Sequence, residues 1–448
     1  MPEFLTLLPP DQARDELLSH LALRPPTPFD QTQGRIDSES IEVVHALGRF
    51  TAVDIFAPHP LPGFPRTTVD GYAVRARDTF GASDSLPAYL KLIGEVPMGD
   101  TPHLELDAGQ CALIHTGGML PAGADAVVMV EYTQSINPGD HNDHGEEHKK
   151  TSVDFVVSVV GNSEIEIFKS VADGENIIHI GEDVAQNQLV IPKGTKIHPA
   201  EIGGLMALGF TSISVAKKPR VGLISTGDEV IDPSQTPRPG QVRDINSYTL
   251  GALVEKSGGE AVRYGIFSDQ FQVLKEAAAK ALSECDLVII TAGSSASTRD
   301  MTADVIRTLG EPGVLVHGIN TRPGKPTILG VCNGKAVIGL PGNPVSALVN
   351  GYLFVVPVIE KYLGALAKPK ATVMAKLTVN LSSQAGREDW WPVKLVVSDQ
   401  SSVISYLAEP IFGKSNLIFT LASADGLLRI HPDATGLSAG EIVEVILI

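Results

Sequence analysis

A chain of 448 residues with 35 Lys and Arg against 52 Asp and Glu carries a formal charge of −17. Nucleic acid is bound by clustered Lys and Arg, which this chain does not show, so that partner class is excluded and any anionic ligand must be held by local groups rather than by the overall field. The length implies about three or four domains, and 43% hydrophobic residues give each of them a core.

The three cysteines, Cys111, Cys285 and Cys332, lie far apart with no metal or disulfide spacing, which points to a reducing compartment. The stretch MPEFLTLLPPDQARDELL turns polar too early for a signal peptide. No apolar run reaches the roughly 18 residues of a membrane span, so a soluble cytoplasmic protein is expected.

Pro10, Asp11 and the spacing of Ala13, Leu17, Leu18 and Leu21 predict an amphipathic helix over 10–24, and a second helix is expected over 37–47. From Thr51 onward prolines, glycines and short apolar alternations predict a small β-domain to about residue 170, with strands at 89–96, 112–114, 126–130, 155–160 and 165–168. Asp70-Gly71 and the glycine-rich HTGGMLPAGAD with Thr116 read either as hairpin turns or as polar groups available to a ligand. The tract at 134–150, with His141, His144 and His148 among acids, reads as a solvated loop. Glu182 and Asp183 follow a glycine, and a helix is expected around 199–208.

From Lys217, strands alternate with helices: strands at 220–224, 260–264, 286–291, 314–316, 327–330 and 336–340, helices at 247–257, 270–283 and 301–309. That alternation predicts a three-layer α/β domain with a mostly parallel sheet, whose ligands bind beyond the carboxyl ends of the strands. Three polar loops fall there: Ser225-Thr226-Gly227-Asp228-Glu229, the loop of Gly293, Ser294 and Ser295, and Pro341-Gly342-Asn343-Pro344-Val345-Ser346. Asn343 suits an N-cap and Pro344 the first helical position, so amides, helix dipole and the Ser346 hydroxyl are expected to face an anion. Arg322 and Lys325 add cations, and Asp228 with Glu229 suit a hard divalent cation such as Mg²⁺. After Lys368, short strands including 391–397, 403–407 and 417–421 predict a small C-terminal β-domain, with Trp390 and Trp391 as packing residues.

The chain resembles the molybdopterin molybdenumtransferase (molybdenum insertase) family. The resemblance rests on TVDGYAVRARD (68–78), HTGGMLPAGADAVVMVE (115–131), GENIIHIGED (174–183), STGDE (225–229) and RPGKP…GLPGNPVSAL (322–348), with ASADGLLRIHP…LSAGEIVEVILI at the C-terminus. It implies N-terminal helices and a connecting domain (1–50 and 171–216), an inserted β-domain (51–170), the α/β domain (217–367) and a barrel-like C-terminal β-domain (368–448), in a homodimer. It also implies insertion of molybdate into adenylated molybdopterin with release of AMP, dependent on Mg²⁺, with the molybdopterin adenylyltransferase as a partner. Asp228, Lys325, Asp70, Glu182 and Asp269 become candidate catalytic residues. Thr116, Ser225, Thr226, Gly227, Gly293, Ser294, Ser295, Arg299, Arg322, Pro341, Gly342, Asn343, Pro344 and Ser346 become candidate substrate-binding residues, and Asp228 and Glu229 metal ligands. The chain departs from the family's Gly-Gly-x-Ser-x-Gly loop: it has GSSASTRDMTA, with Ser294 at the second glycine, and Arg299 is the cation available where the family has a lysine. The alternatives are a non-catalytic pterin-binding or scaffolding relative, and an insertase that prefers tungstate.

Overall fold

The computed structural model describes residues 7–21, 37–136, 163–292, 296–398 and 405–448, with 296–300, 398 and 405 described for their backbone alone. The His-rich tract and the strand expected at 155–160 lie outside the described residues. The chain divides into two compact units, one of Met1–Val53, Pro192–Ile202 and Thr211–Ile448, the other of Asp54–Ile191 and Gly203–Phe210.

The first unit is built on a six-stranded sheet in the order Glu260–Phe267, Arg220–Thr226, Leu287–Ala292, Lys335–Pro341, Ile328–Cys332 and Pro312–His317. The first four strands are parallel and the last two join antiparallel. The antiparallel turn is Asn333-Gly334, both at positive φ, which is the residue pair a two-residue hairpin demands. Side chains alternate between two cores, as strand geometry requires. Leu287, Ile289, Ala336 and Ile338 pack with Leu250, Val254, Phe354 and Ile359 on one face. Val288, Ile290 and Val337 pack with Leu274, Ala278 and Ile306 on the other. Helices therefore cover both faces, giving the expected three layers.

The C-terminal strands Thr372–Leu377, Glu388–Ser398, Ser405–Pro410, Gly426–Ile430 and Ile442–Leu447 pair in a closed ring around Leu377, Val393, Ala408, Leu428 and Val445. Closure removes the exposed edges that such short strands would otherwise leave. Leu417–Leu421, expected as a strand, lies instead at a helix of Ile418–Ala422. An apolar run this short carries no usable period.

The helix expected over 37–47 is absent. Ser38–Glu42 is a strand paired antiparallel with Ser212–Ala216, followed by a single 3-10 turn, Val43–His45. The pairing sets Ile41 opposite Ile213, and that long-range partner overrides a weak local helical pattern.

The second unit centres on a six-stranded sheet ordered Ala126–Met129, Gly71–Val74, Gln110–Ile114, Ala88–Glu95, Glu164–Ile167 and Thr133–Ile136. Val74, Cys111, Val128 and Ile165 fill one face, and Ala73, Ala112, Ile114 and Val127 the other.

Candidate functional site

In the parallel sheet the chain steps from Arg220–Thr226 to a neighbour on one side and then to Leu287–Ala292 on the other. The crevice beyond the carboxyl ends at such a reversal is where open sheets take ligands. Here Ser225, Thr226 and Thr291 open a cavity of about 590 Å³ whose other walls include Glu229, Asp244, Asn246 and Gly342–Pro344.

Gly227 makes the turn out of the strand at φ +139, where a Cβ would meet the side chains of Glu229 and Val230. The turn leaves Asp228 and Glu229 exposed. Asp228 Oδ1 accepts the Asp269 amide at 3.4 Å, so three acids gather at this edge. Burial raises the Asp269 carboxyl above the usual aspartate range, and the charges of Asp228 and Glu229 add to it. Asp269 Oδ1 and Thr226 Oγ1 are buried with no hydrogen-bond partner.

Asp244 and Asn246, which sequence reasoning passed over, organise this cavity. The buried Asp244 carboxylate accepts the Ser225 hydroxyl at 2.8 Å, the Ser247 hydroxyl at 2.7 Å and the Ser247 amide at 3.2 Å. Asn246 Nδ2 donates to the Gly342 carbonyl at 2.9 Å, which leaves Oδ1 buried and unpartnered. A carbonyl only accepts, so this bond fixes which end of the amide is free. The signal lay in RDIN at the start of a helix, but nothing in the sequence tied it to a turn 96 residues away.

The PGNPVS turn does start a helix, Pro344–Asn350, continued by a π turn and Val356–Leu363. Two expectations about it are corrected. The Asn343 side chain does not cap the helix; it lines cavities on both sides of the turn. Pro344 has no N–H, and the Val345 amide, expected to face an anion, donates to the Ser415 carbonyl at 3.0 Å. The helix start is thus docked onto the barrel rather than left open.

A second cavity, of about 760 Å³, is lined by Arg322, Lys325, Pro341, Asn343 and Ser346, and on the barrel side by Arg387, Asp389, Trp391 and Lys414–Asn416. Arg322 is fixed at its backbone by the Thr321–Arg322 strand, which runs parallel to Glu388–Asp389. Its guanidinium lies 5.6 Å from the Trp391 ring. Arg387 forks onto the buried Asp389 at 2.7 and 2.9 Å. The turn carrying Lys325 is clamped by the buried Asn350, whose Nδ2 donates to the Pro323 carbonyl at 3.2 Å and the Ser346 carbonyl at 2.8 Å. Gly324, at φ +105, lies so close to that amide that no Cβ fits. Both tryptophans pack as expected, Trp390 in the core beside the sheet and Trp391 against the barrel core; both also line the cavity, and the Trp391 Nε1 is buried and unpartnered. Consecutive strand residues point to opposite faces, so a Trp-Trp pair could not serve one core alone.

In the other unit Asp70 accepts both the amide and the hydroxyl of Thr116, at 2.7 and 3.0 Å, and these bonds hold its carboxyl below the usual range. His115 bridges Asp70 and Glu95, at 3.8 and 3.0 Å. The Glu182 carboxylate accepts the His179 amide at 2.8 Å, closing its own turn. Gly293, Ser294 and Ser295, and the Arg299 side chain, lie outside the described residues.

Among the described residues no three His, Cys, Asp or Glu side chains come close enough to hold a metal by themselves. Asp228, Glu229 and the orphaned Asp269 Oδ1 suit Mg²⁺ as a partial set, because that ion takes one or two carboxylates and fills its shell with water and substrate phosphates.

An open α/β sheet with two cavities at its carboxyl edge, sharing Asn343 and Asn416 as walls and lined on one side by cations, has the architecture of a small-molecule-binding α/β protein. The family models that match are the MoeA N-terminal region (domains I and II) over residues 8–209, a probable molybdopterin binding domain over 222–361 and the MoeA C-terminal region (domain IV) over 374–448. The chain is 36% identical to a putative molybdopterin biosynthesis protein of Methanocaldococcus jannaschii, over 92% of each chain. It is 30% identical to the molybdopterin molybdenumtransferase of Bacillus subtilis, over 96% of this chain and 95% of that one. Two crystal structures of MoeA molybdopterin biosynthesis proteins from Pyrococcus horikoshii superpose over 99% of this chain, covering 99% and 100% of theirs, with TM-scores of 0.73 and 0.79 at 36% and 31% identity. The chain belongs to the MoeA, or molybdopterin molybdenumtransferase, family, a family of transferases.

Proposed function

We propose that this protein inserts molybdate into adenylated molybdopterin and releases AMP, with Mg²⁺ neutralising charge on the phosphates. The observation that carries this reading is the pairing of the two cavities at Asn343, one with Arg322, Lys325 and Ser346 for oxyanions, the other with Ser225, Thr226, Thr291 and the free Asn246 Oδ1 for a heterocycle, beside the charged Glu229, Arg243 and Asp244. Cleaving a phosphoanhydride chiefly requires neutralising charge on oxygen and holding the reacting groups in place. Lys325 and Arg322 supply the fixed cations. Asp228, Asp269 and Glu229 are the residues that would hold Mg²⁺, which would supply charge neutralisation to the phosphates; Ser225, Thr226 and Gly227 shape the pterin side. Asp70, Thr116 and Glu182 are assigned to substrate contact, in a homodimer, on the resemblance of their motifs.

Purified protein incubated with adenylated molybdopterin, Mg²⁺ and molybdate should release AMP and yield molybdenum-loaded pterin. Pterin that binds and stays adenylated would overturn the reading in favour of a scaffolding relative. Running molybdate against tungstate in the same assay separates the two metal preferences.

A further inference from the structure

In a chain with a charge of −17, four basic side chains around one cavity are an unexpected concentration. Arg387 is committed to Asp389 through two bonds, and Arg322 lies over Trp391. Lys325 and Lys414 make no ion pair among the described residues, and both are exposed. Lys414 differs from the others in origin, because it comes from the segment between the barrel strand Ser405–Pro410 and the helix Ile418–Ala422. That segment is tied to its surroundings at two points and closed by a turn of its own. The Ile411 amide donates to the Pro392 carbonyl at 2.9 Å, the Ser415 carbonyl accepts the Val345 amide at 3.0 Å, and the Leu417 amide donates to the Lys414 carbonyl at 3.0 Å. Its backbone is therefore anchored to the start of the PGNPVS helix while the lysine stem is left free to follow a ligand. A compact point charge on a flexible stem suits an oxyanion whose position changes as a reaction proceeds.

We propose that Lys414 is an oxyanion-binding residue of this site, the contribution of the C-terminal barrel to holding a tetrahedral dianion with Arg322 and Lys325. The identity of that dianion, molybdate or the phosphate of the nucleotide, rests on the proposed reaction. Either would be drawn by a cation that has no carboxylate to satisfy it.

Isothermal titration of the full-length protein with sodium molybdate and, separately, with AMP distinguishes the two sources. Lys414→Ala and Lys414→Met should weaken one ligand by about tenfold at low salt, the scale of a lost charge-assisted bond, while Lys414→Arg restores most of it. Loss in the molybdate arm alone assigns Lys414 to the metal oxyanion, and loss in the AMP arm alone to the nucleotide. The affected arm should also show a shallower dependence of affinity on salt than wild type. Arg322→Ala is the reference. If it weakens binding while both neutral Lys414 variants stay within about twofold of wild type in both arms, the inference about Lys414 falls and the proposed reaction stands. If Arg322→Ala also changes nothing, the cavity is not the oxyanion site and the proposed placement of the reaction falls with it. Lys414→Met keeps the apolar stem, so a melting temperature equal to wild type separates lost charge from lost packing.

Discussion

Asn350 holds Pro323 from 27 residues away, its Nδ2 shared between the Pro323 carbonyl at 3.2 Å and the Ser346 carbonyl at 2.8 Å. One buried amide thus sets the spacing between the turn that carries Arg322 and Lys325 and the helix that carries Ser346.

Asn350→Ala removes both side-chain bonds and unties the Pro323 turn from the helix, so it should cost about 2 kcal/mol of stability. Urea denaturation reads that loss, and oxyanion titration should show a weaker site in the fraction that stays folded. Gly324→Ala attacks the same contact from the other side, through both positive φ and the collision with Asn350. The double variant should therefore cost less than the sum of the two single ones.

Asp244→Ala should be as damaging, because it strands the hydroxyls of Ser225 and Ser247 and the Ser247 amide. A loss of about 3 kcal/mol is expected from three bonds of about 1 kcal/mol each. Asp244→Asn keeps the shape and one acceptor, and should recover a measurable part of the melting temperature.

Asp228 is exposed, so its substitution tests chemistry rather than packing. Asp228→Ala should lower turnover by about a hundredfold or more, with a melting temperature within a degree or so of wild type. Equal losses of activity and stability would remove Asp228 from the assigned role.

Burial, with the charges of Asp228 and Glu229 beside it, puts the folded-state pKa of Asp269 above the value it has in the unfolded chain. The folded state then binds this proton more tightly. Its contribution to stability is complete below the unfolded pKa and is lost as pH rises through the folded one. Asp269→Asn should therefore stabilise the metal-free protein at neutral pH and make no difference under strongly acidic conditions, where both states hold the proton. Mg²⁺ should raise the melting temperature of the wild type at neutral pH and raise that of Asp269→Asn less.

The sequence made the α/β sheet legible because its strands are nearly continuous runs such as LVIITA and KAVIGL, with helices of ordinary length between them. The STGDE, RPGKP and PGNPVS turns were legible for a related reason, since glycine, proline and small polar residues mark both the turn and the ligand edge. What was not legible is what crosses the chain. Ser38–Glu42 became a strand only because Ser212–Ala216 lies beside it, and the Val345 amide is spent on a carbonyl 70 residues on. Asp244, Asn246 and Asn350 act on turns distant in sequence, and their short polar side chains look the same whether they cap a helix, face solvent or hold a site together. The Trp390-Trp391 pair was legible as packing, each ring against a different core, but the place of Trp391 on the cavity wall beside Arg322 was not.

The contact between Arg322 and Trp391 also gives the molecule an optical readout. The chain has two tryptophans; Trp390 is buried in the core with its Nε1 bonded to Glu388, and Trp391 sits on the cavity wall under a guanidinium. An oxyanion that draws the guanidinium off the ring changes the local field at that indole more than at Trp390, whose ring lies by a different guanidinium, that of Arg429. Ligand entry should therefore shift chiefly the emission of Trp391, and Trp390→Phe would isolate that signal for stopped-flow measurement without any attached dye.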